Sequence, residues 1–322
     1  MNIDINELKQ IYLRAYKIRR TEEEISNRYS EQEMRCPTHL SIGQELVPSI
    51  YAQFITKEDY AVSTHRAHAH YLAKGGDLKA MIAEIYGKKT GCSHGMGGSM
   101  HLIDKDVGFM GSTAIVGGTI PVGVGLGLSI QIKKENRIST IFLGDGSTEE
   151  GVFYESVNFA AIRELPVIFI CENNLYSVYS SLDVRQPKNR KIYELVHAMG
   201  IKAIHADGYN IEESYSKLKE AISYVKNEKK PLFIELDTYR FREHCGPNFD
   251  NHIGYREEEE YKKFLNKDPL IKLKNHIKEN NLKIEIEEQE IEEEITNAFN
   301  FAKQSPWPEY NEMDEYLYKE SK

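Results

Sequence analysis

Residues 6–32 set Leu8, Ile11, Tyr12, Ala15, Tyr16, Ile18 and Ile25 at helical spacing, which predicts a long amphipathic helix. From residue 139 the pattern changes to short apolar runs divided by amphipathic stretches. STIFLGDG (139–146) reads as a buried strand closed by a tight turn, and PVIFICENN (166–174) as a second strand. Between them EEGVFYESVNFAAIREL (149–165) reads as a helix with Val152, Phe153, Val157 and Ala160 on one face. NRKIYELVHAMG (189–200) predicts a helix closed by Gly200. IKAIHADGYN predicts a short strand and turn, EESYSKLKEAISYVKN (212–227) a helix, and PLFIELDTYRF a final strand. This alternation predicts an α/β fold, a parallel sheet with helices on both faces, carrying helical N- and C-terminal extensions. Such sheets bind ligands at the carboxyl ends of their strands.

Two segments depart from the pattern. Residues 36–75 crowd His39, His65, His68, His70 and Arg66 into CPTHLSIGQE and DYAVSTHRAHAHYLAKGG. Residues 86–128 are glycine-rich, yet Ile115, Val116, Ile120, Val122, Val124 and Leu126 are too apolar for a solvated linker. We read a buried, ligand-facing loop running into a small-residue helix, the alternative being a flexible surface loop. Past residue 260 the chain is highly charged, and QEIEEEITNAFNFAKQS predicts a helix that serves as a solvated cap. The division expected is residues 1–260 as the α/β unit and residues 261–322 as a charged helical C-terminal extension.

At 322 residues the chain has room for one large or two modest domains. A net charge of −9 argues against a general nucleic-acid surface, which needs a basic footprint. No apolar run is long enough to span a membrane, and MNIDINELKQ lacks a basic-then-apolar signal segment. The four cysteines are widely spaced with no CxxC pair, so neither a zinc site nor a disulfide framework is indicated, and a reducing, cytoplasmic location is expected.

The chemistry concentrates in Gly144-Asp145-Gly146 and Asn173-Asn174, each at the carboxyl end of a predicted strand with one helix between. Adjacent parallel strands would bring Asp145 and Asn174 together. A carboxylate and an amide oxygen are hard ligands suited to Mg²⁺. Gly146 lets the backbone approach a phosphate, and the helix starting near Glu149 points its N-terminus there. Asp-Gly and Asn-Asn are also common turn pairs, and only their spacing and flanking strands raise them above that reading.

GDG followed by NN at this spacing resembles the signature of thiamine-diphosphate-dependent enzymes. The wider chain is similar to the α subunits of 2-oxo acid dehydrogenases, the pyruvate, branched-chain and acetoin types. The motifs are THLSIGQE (38–45), STHRAHAH (63–70), GGSMHL (97–102), AIVGGTIPVGVG (114–125), ENNLYSV (172–178) and TYRFREH (238–244). The resemblance implies the thiamine-diphosphate-binding fold. It also implies Mg²⁺ held by the side chains of Asp145 and Asn174 and the main-chain carbonyl of Tyr176. Arg66, Arg240 and His244 would face the diphosphate. Ala114, Ile115 and Val116 would meet the aminopyrimidine, and Val178 would be an apolar wedge behind the thiazolium. Gly144, Gly146 and Ser147 join the cofactor-binding set, as does His65, which stands where the pyruvate enzymes carry tyrosine. His39 and His244 match active-site histidines of the family, and their unperturbed pKa near ~6.5 would suit proton shuttling. His68, His70, His94, His101 and Cys92 read as structural, and a zinc site from His65, His68 and His70 is the weaker alternative.

The family activates the cofactor with a glutamate that two-subunit members place on a β subunit. No second α/β domain carries it here, and Glu45 belongs to an α-subunit motif. The expected partners are therefore a β subunit, as an α2β2 tetramer, a small 2-oxo acid and a lipoyl-bearing acyltransferase. The loop REHCGPNFDNHIGYR (242–256) departs from the family's pattern, which predicts an acceptor other than a protein-borne lipoyl group. The competing readings are acyloin or ketol transfer in the manner of transketolase, and a cofactor-binding regulatory subunit without catalysis.

Overall fold

The computed structural model describes residues 3–310. Its first half runs α1 (Ile5–Arg28), α2 (Leu46–Tyr51), β1 (Tyr60–Ser63), α3 (His68–Ala73), α4 (Leu78–Ile85), β2 (Phe109–Ser112), α5 (Ile120–Lys133), β3 (Ser139–Gly144) and α6 (Gly151–Arg163). It continues with β4 (Val167–Asn173), β5 (Tyr176–Ser177), β6 (Ser180–Ser181), α7 (Leu182–Arg185), α8 (Ile192–Ala198), β7 (Lys202–Asp207), α9 (Ile211–Glu228) and β8 (Leu232–Asp237). Three helices follow, α10 (Glu258–Leu265), α11 (Pro269–Glu279) and α12 (Glu285–Gln304).

Six strands form one parallel sheet in the order β2-β1-β3-β4-β8-β7. The two-residue period of a strand sends alternate side chains to opposite faces, and both faces are apolar here. Phe142, Ile168, Ile170, Ile234 and Leu236 join the core shared with α1–α4, α9, α11 and α12. Ile141, Leu143, Val167, Phe169 and Phe233 join a second core with α5, α6 and α8. Burial on both sides explains why these strands read as unbroken apolar runs. β1 and β2 escaped the sequence reading because each spans four residues, and β2 contains Gly111.

The glycines of α5 have a local purpose. A Cβ on Gly123 would collide with Ile141, and one on Gly127 with Val167. These two therefore let the helix lie close on its own sheet. Gly125 faces open space, beside the exposed Val122.

The C-terminal helices are more than a solvated cap. Leu273, Ile277, Ile295, Ala298, Phe299 and Ala302 are buried in the core that α1 shares. Arg19 on α1 pairs with both Glu45 and Asp268, tying the N-terminal helix to the start of α11. Residues 311–322 of the expected extension lie outside the described residues. No helix among the described residues is long and apolar enough to cross a membrane.

Candidate active site

The loops after β2, β1, β3, β4 and β8, neighbours in the sheet, close one pocket at the carboxyl ends of the strands. The order in which strands are added reverses at β1 and β3, since β2 lies on one side of β1 and the later strands on the other. Ligand crevices open at such switch points. The cavity is about 160 Å³, below the roughly 300–1,000 Å³ of sites that enclose a cofactor-sized ligand.

Gly144 pairs with Glu172 at the ends of β3 and β4, so Asp145 and Asn174 emerge side by side. Both are buried and both line the pocket. The two asparagines face different ways. Asn173 donates to Glu235 at 2.8 Å and accepts from Leu175 N, so it belongs to the framework. Asn174 accepts from Tyr176 N at 3.1 Å and receives Gln44 as acceptor for its amide at 3.2 Å. Burial pushes the Asp145 carboxyl up, against the opposing pull of Arg185, whose guanidinium pairs with it and with Glu149. Gly146 permits the β5 hairpin to approach, because a Cβ there would stand 2.8 Å from Ser177 Oγ.

Arg66 follows β1 and is buried. It donates to Leu40 O at 2.6 Å and to His244 O at 3.1 Å. Among the described residues no carboxylate forms an ion pair with it, although burial, then Arg240, lowers its pKa to about 10. At neutral pH it is a buried cation beside an open cavity. His39, His65 and His244 gather next to it. Burial first and Arg66 second push them down to about 2, about 3 and about 2. With the cavity holding no anion, burial and the neighbouring guanidinium favour the neutral rings, whereas the expectation for His39 and His244 was titration near neutrality.

Of the residues expected at the site, His39, His65, Arg66, Ala114, Val116, Gly144, Asp145, Gly146, Ser147, Asn174, Tyr176, Val178 and His244 line this pocket. Ile115 and Arg240 do not. Ile115 is 69% exposed, and Val116 half-exposed, so the loop expected to be buried stands open to solvent. Arg240 is fully buried and donates to Asp250, Tyr255 and the carbonyls of Arg242 and Val178. It is a framework residue. Val178 has φ of 55°, a strained setting for a β-branched residue, and the bond from Arg240 at 2.8 Å holds its carbonyl in that turn.

Sequence reasoning missed Gln44, Thr64, Met100, Leu143, Glu172 and Ser177, and His70, read as structural, also lines the pocket. Gln44 lay in a quoted motif, and Glu172 stood beside the asparagine pair. His70 bridges Ser63 at 2.8 Å and Glu172 at 3.1 Å, while His68 bridges Glu22 at 3.1 Å and Ser99 at 2.8 Å. Their nitrogens are thus occupied, which removes the zinc site from His65, His68 and His70. In the 242–256 loop Arg242 and Glu243 are half-buried and bond to the loop itself. Glu243 accepts from Asn248 N at 2.8 Å, and Arg242 donates to Pro247 O and lies over the Phe249 ring at 3.8 Å.

Comparison with known proteins agrees with this geometry. A family model described as "Dehydrogenase E1 component" matches residues 13–311. The pyruvate dehydrogenase E1 component subunit alpha of Rickettsia bellii is 37% identical over 319 residues, covering 97% of each chain. The chloroplastic subunit alpha-3 of Arabidopsis thaliana is 35% identical over 294 residues, covering 88% of this chain and 68% of that protein. In structure, transketolase from Campylobacter jejuni superposes with a TM-score of 0.55 at 14% identity, over 91% of this chain and 49% of that one, a likeness of fold alone. The chain therefore belongs to the dehydrogenase E1 component family, as an α subunit of the thiamine-diphosphate-dependent 2-oxo acid dehydrogenases.

Proposed function

We propose that this pocket binds the diphosphate end of thiamine diphosphate together with Mg²⁺, and that the chain, with a β subunit, decarboxylates pyruvate and passes the acyl unit to a lipoyl group. The observation that carries the reading is the buried Arg66, in ion pair with no carboxylate among the described residues, facing the same cavity as Asp145 and Asn174. A buried cation calls for an anion, and clustered hard oxygens call for a hard metal. A metal–diphosphate pair answers both.

The donor set fits. Asp145 offers a carboxylate, Asn174 the remaining lone pair of its amide oxygen, and Tyr176 its main-chain carbonyl. Once bound, thiamine diphosphate supplies the electron sink that lets a 2-oxo acid lose CO₂. The protein's own tasks are positioning and proton handling. Arg66 balances diphosphate charge. Ala114 and Val116 would offer main-chain groups to the aminopyrimidine, and Val178, whose carbonyl Arg240 holds, would be the apolar contact for the ring system. His39 and His244, being neutral, each have one N–H to donate and one lone pair to receive a proton. An anion bound beside them would raise their pKa toward the working range.

The activating glutamate is assigned to the partner. Glu45 is bound by Arg19, Glu22 by His68, and Glu172 by His70 and Gln44. The small cavity and the exposed Ile115, Val116, Val122, Phe159 and Ile162 support a second wall from another chain. Arg242 and Glu243 bond within the 242–256 loop itself, and we propose the lipoyl group as the acceptor. The relatives' names favour acyl transfer over ketol transfer, and pyruvate as the acid. The test is CO₂ release from a panel of 2-oxo acids by the co-expressed pair with thiamine diphosphate and Mg²⁺, followed by acylation of a free lipoyl domain. Turnover of no 2-oxo acid, or none of the lipoyl domain, would overturn the respective assignment.

A further inference from the structure

Behind Asn174 runs a line of buried hydrogen bonds whose direction is fixed at both ends. Asn174 Oδ1 accepts from Tyr176 N at 3.1 Å. A main-chain N–H can only donate, so this end of the amide is the oxygen and its Nδ2 is the donor on the other side. That donor goes to Gln44 Oε1 at 3.2 Å. Gln44 then turns its own Nε2 to Glu172 Oε2 at 3.5 Å, the longest link of the line. The same Glu172 oxygen meets His70 Nε2 at 3.1 Å, and Ser63 Oγ stands 2.8 Å from His70 Nδ1. A carboxylate only accepts, so His70 donates from Nε2 and accepts from the Ser63 hydroxyl at Nδ1. Stacking on Phe142, with centroids 3.9 Å apart, fixes the plane of the His70 ring. Ser63, His70, Glu172, Gln44 and Asn174 are all buried. Glu172 Oε1 has no partner among the described residues, so the acid's capacity to hold Gln44 is not spent elsewhere.

We propose that Gln44 is the positioning residue for the metal ligand Asn174, with Glu172, His70 and Ser63 holding Gln44 in turn, an inference that rests on the Mg²⁺ reading of Asp145 and Asn174. Mg²⁺ demands near-ideal octahedral geometry with bonds of about 2.0–2.1 Å, and a side-chain amide free to rotate meets that demand poorly. With Nδ2 given to Gln44 and one lone pair of Oδ1 given to Tyr176 N, the other lone pair of Oδ1 is left for the metal. An N–H donated to an acceptor also shifts amide electron density onto the oxygen, which makes it a better ligand for a hard cation. Outer-shell partners act on metals in this way. The residue type at 44 follows from the two neighbours. Only an amide accepts from Asn174 and donates to Glu172 at once, and it adds no charge. A carboxylate there would have nothing to donate and would repel Glu172. The line also has a mechanical result. Ser63 ends β1, three residues before Arg66, and Glu172 lies on β4, two residues before Asn174. The segment that carries the buried cation and the turn that carries the metal ligand are thereby held in one register.

The experiment uses the enzyme assembled with its β subunit. Mg²⁺ is titrated calorimetrically at saturating thiamine diphosphate, and thiamine diphosphate at saturating Mg²⁺. Gln44→Met keeps the length of the side chain and removes its amide. It should weaken Mg²⁺ by about 10–100-fold, while thiamine diphosphate at saturating Mg²⁺ keeps its affinity. A merely structural role would weaken both alike, and that result would refute the proposal. Glu172→Gln should weaken Mg²⁺ in the same sense, and the double variant no further than Gln44→Met alone, because both act through one path. Simple addition of the two effects would remove Glu172 from the line. Asp145→Ala tests the underlying metal reading. Full Mg²⁺ affinity there would place the metal elsewhere, and both inferences would fall. Loss there with full Mg²⁺ affinity in Gln44→Met would defeat the positioning role alone. A crystal structure of the unaltered enzyme with Mg²⁺ and thiamine diphosphate depends on no variant folding. It should show Asn174 Oδ1 on the metal and Asn174 Nδ2 on Gln44 Oε1. Gln44 coordinating the metal itself, or turned away from Asn174, would count against the proposal decisively.

Discussion

The guanidinium of Arg185 closes on the carboxylate of Asp145 while its other terminal nitrogen reaches Glu149. Arg185 ends the short helix α7, so the turn after the β5–β6 hairpin delivers a cation onto the acid proposed to hold Mg²⁺. The metal must therefore share or displace a charge the chain already supplies. We expect Arg185→Gln to tighten Mg²⁺ by about tenfold, equivalent to relieving about 1.4 kcal/mol of charge competition. Mg²⁺ titration of the assembled enzyme with thiamine diphosphate present checks this. Unchanged or weaker Mg²⁺ would show that the pair does not compete with the metal.

Asp145→Ala should abolish Mg²⁺-dependent cofactor binding without unfolding the chain. Arg185 keeps Glu149 and the carbonyl of Ser180 as partners, so no buried charge is stranded. Calorimetry with thiamine diphosphate reads the loss, and circular dichroism reads the fold. Wild-type affinity in the variant would remove Asp145 from the metal site.

Arg240 should matter to stability and not to phosphate contact. It and Arg256 share the buried Asp250. Replacing Asp250 with Asn leaves two buried guanidinium groups short of a counter-charge, which typically costs about 3–5 kcal/mol. Urea unfolding of Asp250→Asn measures the loss. A change below about 1 kcal/mol would mean the network is energetically equivalent to a surface pair.

The depressed histidines set an acid-side dependence. For a base whose folded pKa lies below its unfolded value, stability is full above the unfolded value, about 6.5, and falls as pH drops toward the folded one, about 2 to 3. His39 can contribute up to about 1.4 kcal/mol per pH unit in that window. His65 and His244 contribute less because water screens them. Buried carboxyls with raised pKa, such as Glu235, act in the opposite sense and are common to wild type and variant. Unfolding of the metal-free chain at pH 7 and pH 5 should show a smaller difference in His39→Gln than in wild type. Equal differences would place the charged form of His39 in a stabilised setting.

The isolated chain should release no CO₂ and should acquire activity only with its β subunit, as an α2β2 assembly. The exposed apolar residues of the 113–119 loop, α5 and α6 are the surface expected to close. Light scattering gives the mass and CO₂ release the activity. Full turnover by the purified α chain would overturn the requirement.

Local pattern carried the parts of this protein that depend on neighbours in sequence. The apolar runs of β3, β4 and β8 and the turns GDG and NN were legible because strand burial and turn chemistry act over a few residues, and parallel adjacency then placed Asp145 beside Asn174. The motif likeness carried the cofactor and most pocket residues. Tertiary structure decided what depends on partners far along the chain. It turned Asn173 and Arg240 into framework, because Glu235 and Asp250 take their donors. It set Arg185 on Asp145, assigned Gly123 and Gly127 of α5 to helix–sheet contact, and buried one face of α12 against the N-terminal helices. It also gathered His39, His65 and His244 from three distant segments and held them neutral, since burial and a neighbouring guanidinium are properties of a folded site that no stretch of sequence contains.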